Sequence, residues 1–445
     1  MGQGSDSVVE SQEEGEPQSK RDRPILREGS GAFILHACGM GTAFFSQVVL
    51  ARALGDHDYG HVAYAMAWSM TLGQFCALGL HSSAIREVAG RLAVGDRALA
   101  LGFIRFSLIV ALVIGLLCAG IAAALNHATA DDGGDAVFLI AMALVPLQAM
   151  FAVLFGQLRG FHQVFVPMAS DNLLREGIIL LVVACVAVLG WHFTASWAVA
   201  TIVAALAASV LACLIGLRSQ VRRKLAGAVP RYEFVNWLKT SLPMLVTLSA
   251  VTALNRVDVI MVGWMIGLKE AGIYAVAARL ATVARMPLSA LNTVLAPRIA
   301  ARFAKRDMAE LRTDVGAVAK AAFVTALLAV VCGVFLGRPV LSLFGQGFGS
   351  GYASLLILLV AQCITASQGS VGFVMSMTDM ERSAALVNGL TVVLTITLNW
   401  LLIRAIGIEG AALGTSIGLL FRSLSSAMLI RRRHSISFSA MGKDT

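Results

Sequence analysis

The sequence predicts an all-α polytopic membrane protein: twelve transmembrane helices in two pseudo-symmetric six-helix bundles, with both termini cytoplasmic. Three observations predict it. Apolar runs long enough to cross a bilayer recur along the chain. The basic residues between those runs alternate from side to side. The second half of the chain repeats features of the first.

The apolar runs carry the fold class. Of 445 residues, 58% are hydrophobic and only 14% charged, with a mean hydropathy of +0.78. A water-soluble fold of this length cannot hide so much apolar surface. About 20 apolar residues in a helix cross about 30 Å of hydrocarbon, whereas buried helices of a soluble core show runs of about 10–14. Spans are expected at 31–51, 61–81, 103–125, 136–156, 173–191, 195–217, 241–264, 272–296, 318–337, 353–375, 384–403 and 408–430. The second, fifth and eighth are the least apolar in character, and the eighth holds Arg279, Arg285 and Pro287.

Orientation follows from Lys and Arg, which accumulate in cytoplasmic loops. With the N-terminus inside, 27 of the 35 Lys and Arg fall in inside segments. The outside loops hold four, Arg52, Lys269, Arg338 and Arg404. A missed or false span would scramble this alternation. The net charge of +9 is thus a matter of topology, and no nucleic-acid partner is expected. Residues 1–29 are polar without an apolar h-region, so a disordered cytoplasmic tail is expected there rather than a signal peptide. The seven cysteines show no CxxC or Cys/His spacing, so neither disulfides nor a metal site is expected.

The repeat divides the chain. A shift of 212 residues lays Gly60 on Gly272, Ala63 on Ala275, Ala65 on Ala277, Ala84 on Ala296 and Arg86 on Arg298. The expected organisation is a six-helix bundle over 30–217, a basic cytoplasmic linker over 218–240, a second bundle over 241–430 and a basic cytoplasmic tail over 431–445. Both bundles start and finish inside, so the repeat is parallel. Two such bundles around a cavity are a transporter architecture.

Polar residues inside the spans mark candidate sites. A charge at the bilayer centre costs at least about 2.5–3.5 kcal/mol, so such groups face a polar cavity or a partner. Asn255, Arg256 and Asp258 lie in the seventh span. Two residues on a helix are about 200° apart, so Arg256 and Asp258 would not face each other. Arg279 and Arg285 of the eighth span are candidate partners for Asp258, and Arg422 of the twelfth is a further cavity candidate. A cationic cavity would suit an anionic headgroup, since the guanidinium fork matches phosphate. The alternatives are a buried structural ion pair and arginines reaching the interface. Asp171 and Arg175, at i,i+4 in the fifth span, can pair locally. Gln47 and Gln148 can bond between helices, and Gln362 and Gln368 add polar capacity to the tenth span.

No catalytic residues are expected: HExxH, Walker A, GxSxG and GxGxxG patterns are absent. No cofactor is expected either. Active transport would draw on an H+ or Na+ gradient, or on the gradient of its product, with Asp258 as the best-placed acid.

The stretch Asn255–Phe303 and the opening LARALGDHDYGHVAYAMA are similar to the polysaccharide-exporter branch of the multidrug/oligosaccharidyl-lipid/polysaccharide flippase superfamily. The matching features are the acid of span seven (Asp258), Gly272 with Tyr274 entering span eight, and Pro297 followed by Arg298. The resemblance implies a bacterial inner-membrane flippase of undecaprenyl-pyrophosphate-linked oligosaccharides, working beside a glycan polymerase or glycosyltransferases. It also implies that Arg256 and Arg279 hold the pyrophosphate or an acidic sugar. Drug-extruding relatives share the plan, so a cation-coupled multidrug or small-metabolite exporter is an alternative. A membrane-embedded glycan-modifying transferase is another.

Overall fold

The structure, a computed structural model, describes residues 18–129, 135–190, 192–283, 308–368, 375 and 380–434. Among them the regular elements are all helices. Helix α1 (Gln18–Cys76) carries the first two expected spans and is divided at Gly55 (φ 76°, ψ 179°), a conformation open to glycine and strained for other residues. A left-handed turn at Leu78 and Gly79 leads into the amphipathic α2 (Leu80–Ala93). Then follow α3 (Arg97–Thr129), α4 (Ala136–Met142), α5 (Leu144–Gly160) and α6 (Phe165–Ala169). A π-helical turn (Ser170–Arg175) joins α6 to α7 (Glu176–Leu189), and α8 (Ala195–Lys224) closes the first half.

The second half contains α9 (Phe234–Leu254), α10 (Val257–Met265), α11 (Leu268–Val283) and α12 (Met308–Ser342). A 3-10 turn (Gln346–Gly351) leads into α13 (Tyr352–Ser367), followed by α14 (Glu381–Ile406) and α15 (Ile408–His434).

Among the described residues, eight helical stretches are long and apolar enough to cross a membrane. They coincide with the third to sixth and ninth to twelfth expected spans, and the protein is a multi-pass membrane protein. The first two expected spans fall on α1 and the seventh on α9 with α10, while the eighth begins on α11 and its residues 284–296 lie outside the described residues.

Two expectations need correction. The fifth span begins at Phe165, eight residues before the expected start. Asp171, Asn172, Arg175 and Glu176 make the start of the span polar, yet the chain is already helical ahead of them and passes through them by the π turn. The seventh span is not one helix, because α9 ends at Leu254 and α10 starts at Val257. The two-residue offset of Arg256 and Asp258 therefore cannot be converted into a helical angle. Broken helices inside membranes are tolerated where the freed backbone lines a cavity or is buried in protein.

Small residues set the closest approaches. Gly410, Gly414 and Gly418 repeat every four residues on α15, where an added Cβ would overlap the Leu402 carbonyl, Asn399 and Thr395 of α14. Such stripes allow two helices to pack backbone to backbone.

The expected linker is anchored rather than free. Trp237 is 1% exposed and packs edge-on against Phe103, with centroids 5.4 Å apart. Phe106 sits 5.3 Å from Trp237 and 5.2 Å from Phe234, and Tyr232 stacks on Phe234. The Arg231 N–H donates to the Ala98 carbonyl, and Arg91 pairs with both Glu87 and Glu233. The start of α9 is thereby held to α3. Trp237→Ala is expected to destabilise the protein by about 3–5 kcal/mol. Loss of the monodisperse peak after heating, in size-exclusion chromatography, should occur several degrees earlier than in the parent.

Candidate functional site

The polar groups buried within the spans form three sets, one within the second half, one within the first, and one around Arg256 that reaches groups of both. The first set joins α10, α11 and α15. Asp258, 4% exposed, accepts hydrogen bonds from the Tyr274 hydroxyl (2.8 Å) and the Thr415 hydroxyl (3.4 Å). Its other oxygen accepts from the Val259 N–H at 2.8 Å. Among the described residues its side-chain partners are these two hydroxyls, and no ion pair to Asp258 is found. Geometry explains why Arg279 is not one of them. The α10–α11 hairpin turns at Gly267 and places Tyr274 opposite Asp258. Arg279 lies five residues further on, about 7.5 Å along the axis, and is exposed. Arg285 lies outside the described residues.

The second set joins α1, the π turn and α7. Arg175 donates to Asp171 at 2.6 Å and to Glu176 at 3.0 Å, as the i,i+4 spacing led one to expect for Asp171. Glu176, 3% exposed, also accepts from the Ser46 hydroxyl. Gln47 accepts from the buried Tyr59 hydroxyl at 2.9 Å, across the Gly55 break. Gln148 packs its stem against Gly73. Single π-helical turns occur often at functional positions.

The third set lies between the other two. Arg256, half-buried at the break between α9 and α10, is within electrostatic reach of Arg279, Asp258, Tyr59 and Arg175. Tyr59 is also in reach of Arg279. Asn255 is exposed at the same break and donates to the Val251 carbonyl at 2.8 Å. Arg422 is half-buried on α15 and engaged in a polar contact. Gln368 accepts from Ser423 of α15 at 2.9 Å, which gives span ten its expected inter-helix bond.

Sequence reasoning missed Ser46, Tyr59 and Thr415 as site residues. They look like ordinary small or aromatic membrane residues until the fold places Glu176 beside Ser46, Asp258 beside Thr415 and Gln47 beside Tyr59. Tyr274 entered only as part of a family pattern.

On the side that the charge pattern puts outside, the halves are in contact. Asp56 pairs with Lys269 at 3.1 Å, Tyr59 meets Phe348 edge-on, and Phe44 meets Phe344 likewise. Burial works against ionisation of Asp56. The Lys269 ammonium and the His57 N–H outweigh it, so the carboxyl sits below the usual carboxylate range. Lys269 is half-exposed, so the pair contributes at most about 1 kcal/mol.

A bundle of spanning helices with charged groups buried inside its spans has the build of a membrane transporter. The sequence matches the family model described as polysaccharide biosynthesis protein over residues 27–303, more than half of the chain. The chain belongs to that family. A second model, MatE, matches residues 243–401. Among solved structures, an inward-facing multidrug resistance MATE family transporter of the MOP superfamily matches with a TM-score of 0.74 at 17% identity, covering 90% of this chain and 94% of that one. The lipid II flippase MurJ, in an inward closed conformation, matches with a TM-score of 0.70 at 14% identity, covering 91% and 87%. No individually curated protein matches. The chain is a member of the multidrug/oligosaccharidyl-lipid/polysaccharide superfamily, as the resemblance implied.

Proposed function

We propose that the protein is a flippase that moves lipid-linked oligosaccharide or polysaccharide precursors across the bacterial inner membrane by alternating access. The observation that supports this reading is the pair Arg256 and Arg279. They lie within electrostatic reach of each other, and neither is ion-paired to a carboxylate among the described residues. Two nearby like charges favour an anion between them. A pyrophosphate offers two adjoining groups for two guanidinium forks. The cargo is thus undecaprenyl-pyrophosphate-linked oligosaccharide, received from glycosyltransferases and passed to a glycan polymerase. A cationic drug would be repelled by the same pair. Asp258 is the coupling group for an H+ or Na+ gradient.

The test is reconstitution in liposomes with fluorescently labelled undecaprenyl-pyrophosphate-linked oligosaccharide. Translocation is read as loss of quenching in the outer leaflet. Arg256→Ala and Arg279→Ala should each weaken cargo affinity by about 1.5–3 kcal/mol, roughly ten- to a hundredfold. Unaltered flipping by both variants, or efficient export of a cationic dye that the labelled lipid does not inhibit, would sink the proposal.

A further inference from the structure

The structure assigns a second role to the repeat-related glycines Gly60 and Gly272: we propose that they form a two-fold steric latch closing the outer side of the transporter. The inference rests on the alternating-access reading above, and concerns the gate rather than the cargo.

The shift that lays Gly60 on Gly272 also lays Asp56 on Leu268. In the fold these four positions meet. An added Cβ at Gly60 would overlap the carbonyl oxygen of Leu268. An added Cβ at Gly272 would stand 2.9 Å from the carbonyl oxygen of Asp56, and 2.8 Å from Cα of Gly60. Each half therefore supplies one glycine and, four residues earlier, the carbonyl that the other glycine accommodates. One contact is made twice about the pseudo-two-fold axis.

Both partners are backbone atoms, so no change of rotamer can relieve a clash. α1 and α11 must move apart if either glycine gains a side chain. Other glycines show that this is not a general property of the chain. Around Gly41, Gly90 and Gly389 an added Cβ would meet nothing within 4 Å.

Neighbouring contacts depend on the same approach. The Asp56–Lys269 pair brackets the crossing. Gly347, in the 3-10 turn, leaves room for the Asp56 carboxylate, which a Cβ there would overlap. Tyr59 rests edge-on against Phe348 of the same turn. The crossing sits at the outer ends of α1's second segment and of α11. Parting it releases the ion pair, the turn and the ring contact together, and so opens the outer side in one step.

The experiment places spin labels at His192 and Leu343, both exposed and in outer loops of opposite halves, in a cysteine-free background without cargo. The parent should show mainly a short distance. Gly60→Ala and Gly272→Ala should each shift the majority to a longer one, to a similar extent, and Gly90→Ala should leave the distribution unchanged. Folded Gly60→Ala and Gly272→Ala variants that keep the parent distribution would overturn the latch. If neither variant folds, the parent itself decides. A carbodiimide should join the Asp56 carboxyl to the Lys269 amine, detectable by mass spectrometry of the digested protein, and cross-linked chains should retain only the short distance. A parent that is folded but forms no such link overturns the latch too. Because no cargo is present, failure of the gate leaves the proposed substrate untouched, and failure of lipid flipping leaves the gate untouched.

Discussion

Asp258→Asn is expected to stop gradient-driven transport while leaving the protein nearly as stable as the parent; Asp258→Ala is expected to stop transport and to destabilise it. The difference comes from what the carboxylate does for its neighbours. Tyr274 is fully buried, and its hydroxyl has Asp258 as its acceptor at 2.8 Å. Alanine leaves that hydroxyl unpaired inside the protein, at a cost of about 1–3 kcal/mol. Asparagine keeps an acceptor oxygen in the same place but has no ionisable proton. If Asp258 couples transport to an ion, its change of charge must alter how α10, α11 and α15 are held together, because its partners come from those three helices. Only the ionisable side chain can do this. Adding Tyr274→Phe to Asp258→Ala should recover part of the lost stability, since the Tyr274 hydroxyl is no longer orphaned although the Thr415 hydroxyl and Val259 N–H still lose their acceptor, but should not recover transport. Thermal stability in detergent and flipping with and without an imposed gradient separate these outcomes. Full gradient-driven flipping by Asp258→Asn would exclude the residue as the coupling group.

Much of the fold was legible because hydropathy and charge act over whole segments. The third, fourth, sixth and ninth to twelfth spans follow from runs of apolar residues. The helices run past those limits, as α8 does to Lys224 and α3 does from Arg97, since polar residues can extend a helix into water. Local polarity misled the reading in two places. The helix starts well before Asp171, where the expected span began only at residue 173, and Arg175 neutralises the two acids beside it, Asp171 and Glu176. The seventh span breaks at Asn255–Arg256 where continuity was expected, because the apolar residues on both sides hide an interruption of two residues.

The candidate site was legible as residue types but, apart from the local Asp171–Arg175 pair, not as pairs. An acid inside a span announces that it needs partners, and Asp258 was found in that way. Which partners it has depends on the register of α10 against α11 and α15, and no local pattern encodes that register. The glycine match at a shift of 212 was visible as a weak repeat. Only packing shows that the repeat-related positions touch.

Arg175→Ala should be the most destabilising single change in the first half, and its effect should fall on folding rather than on cargo affinity. Arg175 is held by Asp171 and Glu176, and Glu176 is almost fully buried. Removing the cation strands a buried carboxylate, which costs about 3–5 kcal/mol. Arg175→Lys should restore little, because an ammonium cannot span both acids as the guanidinium fork does. Arg175→Met combined with Glu176→Gln should restore more, because it removes the stranded charge and leaves the Ser46 hydroxyl an acceptor in the amide oxygen. Its charge already neutralised, Arg175 is a poor ligand for an anionic headgroup, unlike Arg256 and Arg279. The two classes of arginine should therefore separate experimentally. Arg175 variants lose thermal stability, and those that fold retain cargo affinity. Arg256 and Arg279 variants keep stability and lose affinity. A stable Arg175→Ala protein with weakened cargo binding would reverse the assignment and place Arg175 in the cavity.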